Sequence, residues 1–272
     1  MSALSNYAEG KLIDHLFRTA SFAKPATLYF ALFTTIPGED GAGGVEVSGG
    51  NYARIGVTGS DANFTAPVDA TPGRKTGNAN AITFGTPSAA WGTVIGYGVY
   101  DAVSGGNLIA AGSLTASKVI GATDPAPEFP AGAFVFTARL GTTVLNDKII
   151  NHLFRSTAFV KPTNLYFGLY TAAPTDAGGG TEVTGGSYAR ATVACADASF
   201  AAPVAGDGHT ENSADITFAV PSANWGAVLA SGVFDALSGG NLWLWDDFPA
   251  VNVNNGDAAP KIAAGQFDYT VA

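Results

Sequence analysis

The chain has 272 residues, 47% of them hydrophobic and only 13% charged, about half the charge of an average globular protein. Its net charge is −9 and it contains no run of four basic residues, which argues against nucleic acid as a partner, because phosphate neutralisation needs clustered Lys and Arg. The single cysteine, Cys195, rules out an intrachain disulfide and the cysteine-based zinc and redox motifs.

The opening residues MSALSNYAEG lack the basic and apolar regions of a signal peptide. No apolar run approaches the ~18–20 residues of a membrane span. The sequence therefore predicts a soluble chain, made in a cytoplasm, with no membrane partner. The first element is a helix. Leu12, Ile13, Leu16 and Phe17 fall on one helical face, with Leu4, Tyr7 and Ala8 two turns upstream. Lys24–Pro25 ends this region, since the residue before proline is pushed to extended geometry. Strands follow. TLYFALFT (Thr27 to Thr34) is short and apolar, as a buried strand is. A Gly- and Pro-rich loop runs from Pro37 to Gly44. Further strands are expected at Tyr52 to Thr58, Asn80 to Phe84 and Val94 to Tyr100. The turn Ser104-Gly105-Gly106-Asn107 leads into a returning arm, Leu108 to Leu114. A Pro-rich loop (Asp124 to Pro130) precedes a closing strand, Ala133 to Leu140.

The chain then says the same thing again. HLFRTASFAKPATLYFALFTTIP (His15 to Pro37) returns as HLFRSTAFVKPTNLYFGLYTAAP (His152 to Pro174). EVSGGNYAR (Glu46 to Arg54) returns as EVTGGSYAR (Glu182 to Arg190), and ITFGTPSAAWG (Ile82 to Gly92) as ITFAVPSANWG (Ile216 to Gly226). The second helix carries Leu145, Ile149, Ile150, Leu153 and Phe154 on one face, and its copy closes with Gln266 to Val271. The period is too long for a solenoid repeat and suits a whole domain. The expected fold is mainly β: two tandem homologous β-sandwich domains, residues 1–140 and 141–272, each with one N-terminal helix. The near-absence of a linker predicts a pseudo-symmetric pair held in a fixed relation.

The residues that both copies keep do not form a recognisable catalytic set. His15 and His152 occupy equivalent helix positions beside Asp14 and Asn151, but consecutive helix residues do not face one another, and no nucleophile elbow accompanies them. A packing or capping role is expected for both. His209 reads as a lone, solvent-exposed residue in a loop peculiar to the second copy. Asp101 with Ser104 and Asn107, and Asp235 with Ser238 and Asn241, form the best oxygen clusters. Ordinary hairpin chemistry explains them better than calcium. Gly41 to Gly44 and Gly178 to Gly180 lack the Gly-Lys-Ser/Thr of a phosphate cradle. Trp91 and Trp225, matched between copies, are expected to plug the ends of the sandwiches. No catalytic, cofactor-binding or metal-binding residues are assigned, and no cofactor is expected. The candidate interaction surface is Trp243, Trp245, Asp246 and Asp247, where WLWDD alternates. Alternation predicts both Trp residues on one face, with Leu242 and Leu244 on the other.

LSNYAEGKLIDHLF, the PATLYFALFT strand, EVSGGNYAR, WGTV and DAxSGGNL occur in this order. Together they resemble a family of small phage virion proteins often labelled tail-fibre or uncharacterised phage structural proteins. The resemblance covers all of the first copy and the second from Val144 onward. It implies a virion component, made in the host cytoplasm, without enzymatic activity. Two roles follow as expectations. The first is capsid decoration (a cement protein), favoured because a compact pair offers neither the repetitive shaft nor the trimerising end of a fibre. The alternative is a tail-fibre or receptor-binding adhesin recognising a host surface glycan. The implied partners are other virion proteins, of capsid or tail, and further copies in a homo-oligomer.

Overall fold

The computed structural model describes residues 2–204 and 208–271. The first copy contains β1 (Ser2–Leu4), α1 (Asn6–Phe17), β2 (Thr27–Thr35), β3 (Val45–Glu46), β4 (Ile55–Thr58), β5 (Val68–Asp69), β6 (Arg74–Gly77), β7 (Ile82–Thr83), β8 (Gly92–Tyr100), β9 (Leu108–Ile120), β10 (Glu128–Phe129) and β11 (Val135–Ala138). The second contains α2 (Thr143–Phe154), β12 (Asn164–Ala172), β13 (Thr181–Glu182), β14 (Ala191–Ala194), β15 (His209–Glu211), β16 (Ile216–Thr217), β17 (Gly226–Phe234), β18 (Leu242–Val253), β19 (Lys261–Ile262) and β20 (Asp268–Thr270). The protein is thus mainly β, in two similar sheet groups with one helix each.

Each copy has a main antiparallel sheet. In the first the order is β1-β9-β8-β2-β3, with β4 also on β2; in the second it is β13-β12-β17-β18, with β14 on β12. Smaller ladders close the other side of each core: β7 with β10 and β5-β6-β11, then β16 with β19 and β15 with β20. The inward residues of β2, among them Phe30, meet Phe134 from the smaller layer at 5.0 Å between ring centroids.

Leu4 is not helical, contrary to the periodic pattern. Ser5 is the N-cap: its backbone is extended and its Oγ accepts the Ala8 N–H, so the helix cannot extend further back. Thr142 caps α2 in the same way. Each cap hydroxyl also donates to the hairpin of its own copy, Ser5 to the Leu108 carbonyl and Thr142 to the Leu242 carbonyl. The start of each helix is therefore tied to its own domain.

The end of each helix is tied to the other domain. Phe17 of α1 packs between Phe200, Phe267 and Tyr269 of the second copy, with centroids 5.2–5.7 Å away. Phe154 of α2 packs against Phe64, Phe134 and Phe136 of the first, Phe136 at 4.8 Å. Arg18 donates to the Phe200 carbonyl and pairs with Asp197, while Arg155 donates to the Phe64 carbonyl and pairs with Asp61. Cys195 Sγ donates to the Leu16 carbonyl, and burial pushes its thiol up to about 11, which makes it a packing residue rather than a nucleophile. Each helix therefore bridges the two copies, its start packed on its own hairpin and its end in the neighbour's core. One hydrophobic core runs through both copies.

The bridging helices have a pseudo-two-fold centre at the two histidines. The rings of His15 and His152 lie 5.1 Å apart, and both are buried. Each Nδ1 accepts a backbone N–H at 3.1 Å, from Phe22 and Phe159 respectively. His15 Nε2 bonds the Phe159 carbonyl at 3.1 Å. His152 turns the same edge toward the Phe22 loop without closing a bond. Burial lowers both pKa values, that of His152 to about 4, helped by His15 and Lys24; Lys161 adds to the effect on His15. The folded form therefore holds neutral rings. Stability from this pair is whole above the ordinary pKa of 6.5 and falls as pH drops from there toward 4. For His152 alone the loss is about 3 kcal/mol. We expect the melting temperature to fall more steeply between pH 6.5 and 4 in the wild type than in His152→Asn, whose Oδ1 still accepts the Phe159 N–H. Parallel melting curves would remove the pair from the acid response.

Candidate interaction surface

The residues shared by both copies prove to be occupied within the fold. Glu46 holds Arg54 through two bonds of 2.9 and 2.7 Å and also accepts the Tyr52 hydroxyl. Arg54 then donates to the Ala102 and Gly105 carbonyls and stacks 3.6 Å over Tyr100. Glu182, Tyr188 and Arg190 repeat this, with Arg190 on the Ala236 and Gly239 carbonyls and 3.3 Å over Phe234. The motif EVxGGxYAR is thus a clamp that pins the SGGN hairpin turn. Inside that turn the Asp101 carboxylate accepts both the N–H and the side-chain amide of Asn107 at 2.7 Å, and Asp235 does the same with Asn241. Because the planar fork of Arg190 fills four acceptors, Arg190→Lys is expected to destabilise the fold by about 1–2 kcal/mol. Chemical denaturation would measure this, and an unchanged midpoint would deny the clamp.

Trp91 and Trp225 are buried and each donates to a turn carbonyl at 2.9 Å, of Gly50 and Gly186. Those glycines have positive φ, and a Cβ on either would press on the indole. His209 is not in a loop. It begins β15, the counterpart of β6, and lies 3.0 Å from Asp268. Among the described residues, no group of three or more His, Cys, Asp or Glu is placed to hold a metal ion. No described helix is long and apolar enough to cross a membrane.

The WLWDD segment differs from its expected layout. The pairing of β17 with β18 shifts between Val233–Leu244 and Phe234–Leu242, leaving Trp243 in a bulge. A bulge interrupts alternation. Trp243 therefore enters the main core, edge-on to Phe159 at 5.2 Å, together with Leu244. Leu242 and Trp245 lie on the opposite face. Trp243 is no surface residue. Trp245 is half-buried, its Nε1 donating to Asp176 at 3.1 Å, and Asp246 and Asp247 are exposed.

These three residues border a cleft of about 980 Å³ in the second copy, with Phe248, Asp268 and Tyr269 on its other walls. The same place in the first copy is a hollow of about 40 Å³. Two differences account for this. Where β9 has Ala111, Gly112, Ser113 and Leu114, β18 has Trp245, Asp246, Asp247 and Phe248. Leu114 is partly buried against the core, whereas Phe248 is exposed. Moreover, β1 lies along β9 in the first copy, Leu4 opposite Ala110 and Ser2 opposite Gly112. No described strand of the second copy lies on the corresponding edge of β18. As a result Phe134 and Phe136 are fully buried, while their counterparts Phe267 and Tyr269 are not.

The family model for podophage GP4 fiber I protein gp80 matches the chain twice, over residues 3–137 and 141–270. The chain belongs to this family. No curated protein matches it. The two gp80-family segments coincide with the two sheet groups and their helices. Membership in a fiber family makes the chain a phage structural protein, a component of the virion.

Proposed function

We propose that the chain is a non-enzymatic component of the phage tail fibres, contacting other virion proteins through the open side of its second copy. The observation that carries this reading is the double match to a fiber family over nearly the whole chain. The use of the shared polar residues supports it: the Glu–Tyr–Arg clamps, the Asp–Asn turns and the paired histidines are all engaged in holding backbone. A capsid decoration protein, the role favoured from sequence, would make two pseudo-equivalent contacts only if both copies bound alike. The two copies differ at the outer sheet edge, closed in one and open in the other, which suits a single attachment face per chain. Host glycan as a ligand is the further reading that Trp245 keeps in view. Cryo-electron microscopy of particles carrying the chain tests the assignment. Density at the tail is the expected result, and density spread over the capsid lattice would overturn it in favour of decoration.

A further inference from the structure

We propose that the gap between β18 and β20 accepts an extended strand from another protein, one bearing Lys or Arg, in the antiparallel register that β1 holds on β9. The first copy shows the occupied form of this site. There β1 lies along β9, the Ser5 N–H continues the ladder onto the Ile109 carbonyl at 3.0 Å, and Leu4 enters the core. In the second copy the ladder begins in the same way, with the Thr142 N–H on the Trp243 carbonyl at 2.9 Å, and then stops. Residues 139–141 do not continue it. The Leu140 N–H turns to Asn146 Oδ1 at 2.7 Å, and its carbonyl accepts the Tyr269 hydroxyl. Gly141, at a φ of +154°, permits that departure, and a Cβ there would strike the Trp243 carbonyl and Leu244.

What remains is an exposed sheet edge beside a partly uncovered core. In an antiparallel ladder alternate residues present their N–H and C=O to the same side. Since Ile109 and Trp243 face outward, so does Trp245, leaving its backbone pair to meet an added strand. Adding a strand to such an edge is a general mode of peptide recognition. Pro249, with no N–H to give, limits the ladder on its far side.

A simple count identifies the occupant as foreign. Each chain carries one Ser2–Leu4 strand and two such places. Exchange of that strand between copies would fill one place by emptying another. Charge sets the chemistry. Asp246 and Asp247 are exposed along the edge, with Asp176 and Asp268 also bordering the cleft. Of the two described cations that line the cleft, Arg139 and Lys261, Lys261 is bonded to Asp215 at 2.6 Å, and Asp268 faces His209 at 3.0 Å, so Asp246 and Asp247 carry the acidic edge. The cleft therefore favours a basic strand. That the strand comes from another virion protein rests on the fibre reading above; that the gap takes a strand does not.

The probe is an acetylated, amidated peptide of sequence Lys-Ser-Ala-Leu-Ser-Lys, added to the purified full chain. We expect hydrogen exchange to slow at the Trp245 amide, and binding to weaken about tenfold in Asp246→Lys/Asp247→Lys, whose melting temperature should match the wild type. No slowing at that amide would overturn the proposal. So would a neutral glycan such as maltotetraose perturbing the Trp245 ring while the peptide does not bind. Concentration-dependent dimers that protect the same amide without peptide would assign the edge to a second copy and overturn it as well. None of these outcomes depends on where the chain sits on the particle.

Discussion

Phe154→Ala should destabilise the protein by about 3–5 kcal/mol and leave a single unfolding transition. Phe154 is fully buried and touches three phenylalanines that all belong to the first copy. Deleting the ring removes apolar burial and opens a cavity in a densely packed aromatic site. The diagnostic part is how the loss is distributed. Phe154 lies in the second copy by sequence, yet it completes the core of the first. With each helix bridging both copies and one continuous core, neither copy can unfold while the other keeps its helix end in place. Calorimetry would show one peak moving down. Two peaks, with only the second copy weakened, would mean that each helix serves its own domain. Phe17→Ala is the mirror experiment and should behave alike.

Residues 141–272 expressed alone should form a dimer. Without α1, the site made by Phe200, Phe267 and Tyr269 has no occupant. The α2 of the same half is held at its start by Thr142 on its own hairpin, and in the intact chain its end reaches away from its own core. A second half-chain supplies the missing piece. Leu153, Phe154 and Arg155 repeat Leu16, Phe17 and Arg18, and Asp197 stands ready for the arginine as it does for Arg18. Reciprocal exchange between two halves thus rebuilds the arrangement within one chain, as an isologous pair. Light scattering should report a mass close to the 27.5 kDa of the intact chain, with dissociation at about micromolar concentration or below. Phe154→Ala in the half-chain should abolish the dimer. A folded half-chain monomer would contradict the exchange.

Much of this architecture was legible in the sequence. The repeats, the helix periodicity, the apolar strands and the SGGN turns depend on neighbours a few residues apart, and the structure follows them closely. The clamp was visible only as a motif. EVxGGxYAR repeats faithfully, but the carbonyls that its arginine bonds, Ala102 and Gly105, lie 48 and 51 residues away. The Trp pair misled because alternation assumes an unbroken ladder, and the bulge at Trp243 is set by the partner strand β17.

By itself the sequence determined that two copies of one mainly β domain are present, and that their shared residues look structural. The tertiary structure decided which core receives the end of each helix. Both helices carry the same apolar face and both cores offer the same aromatic site, so local pattern is blind to the choice. The choice is made where the chain enters each helix: Ser5 and Thr142 anchor each start on its own hairpin, and the end then points into the neighbour. The tertiary structure also decided that the two copies are unequal. One strand, β1, completes the first sheet, and the residues at the corresponding place before α2 are drawn away to Asn146 and Tyr269, because they must come from the closing strand of the first copy.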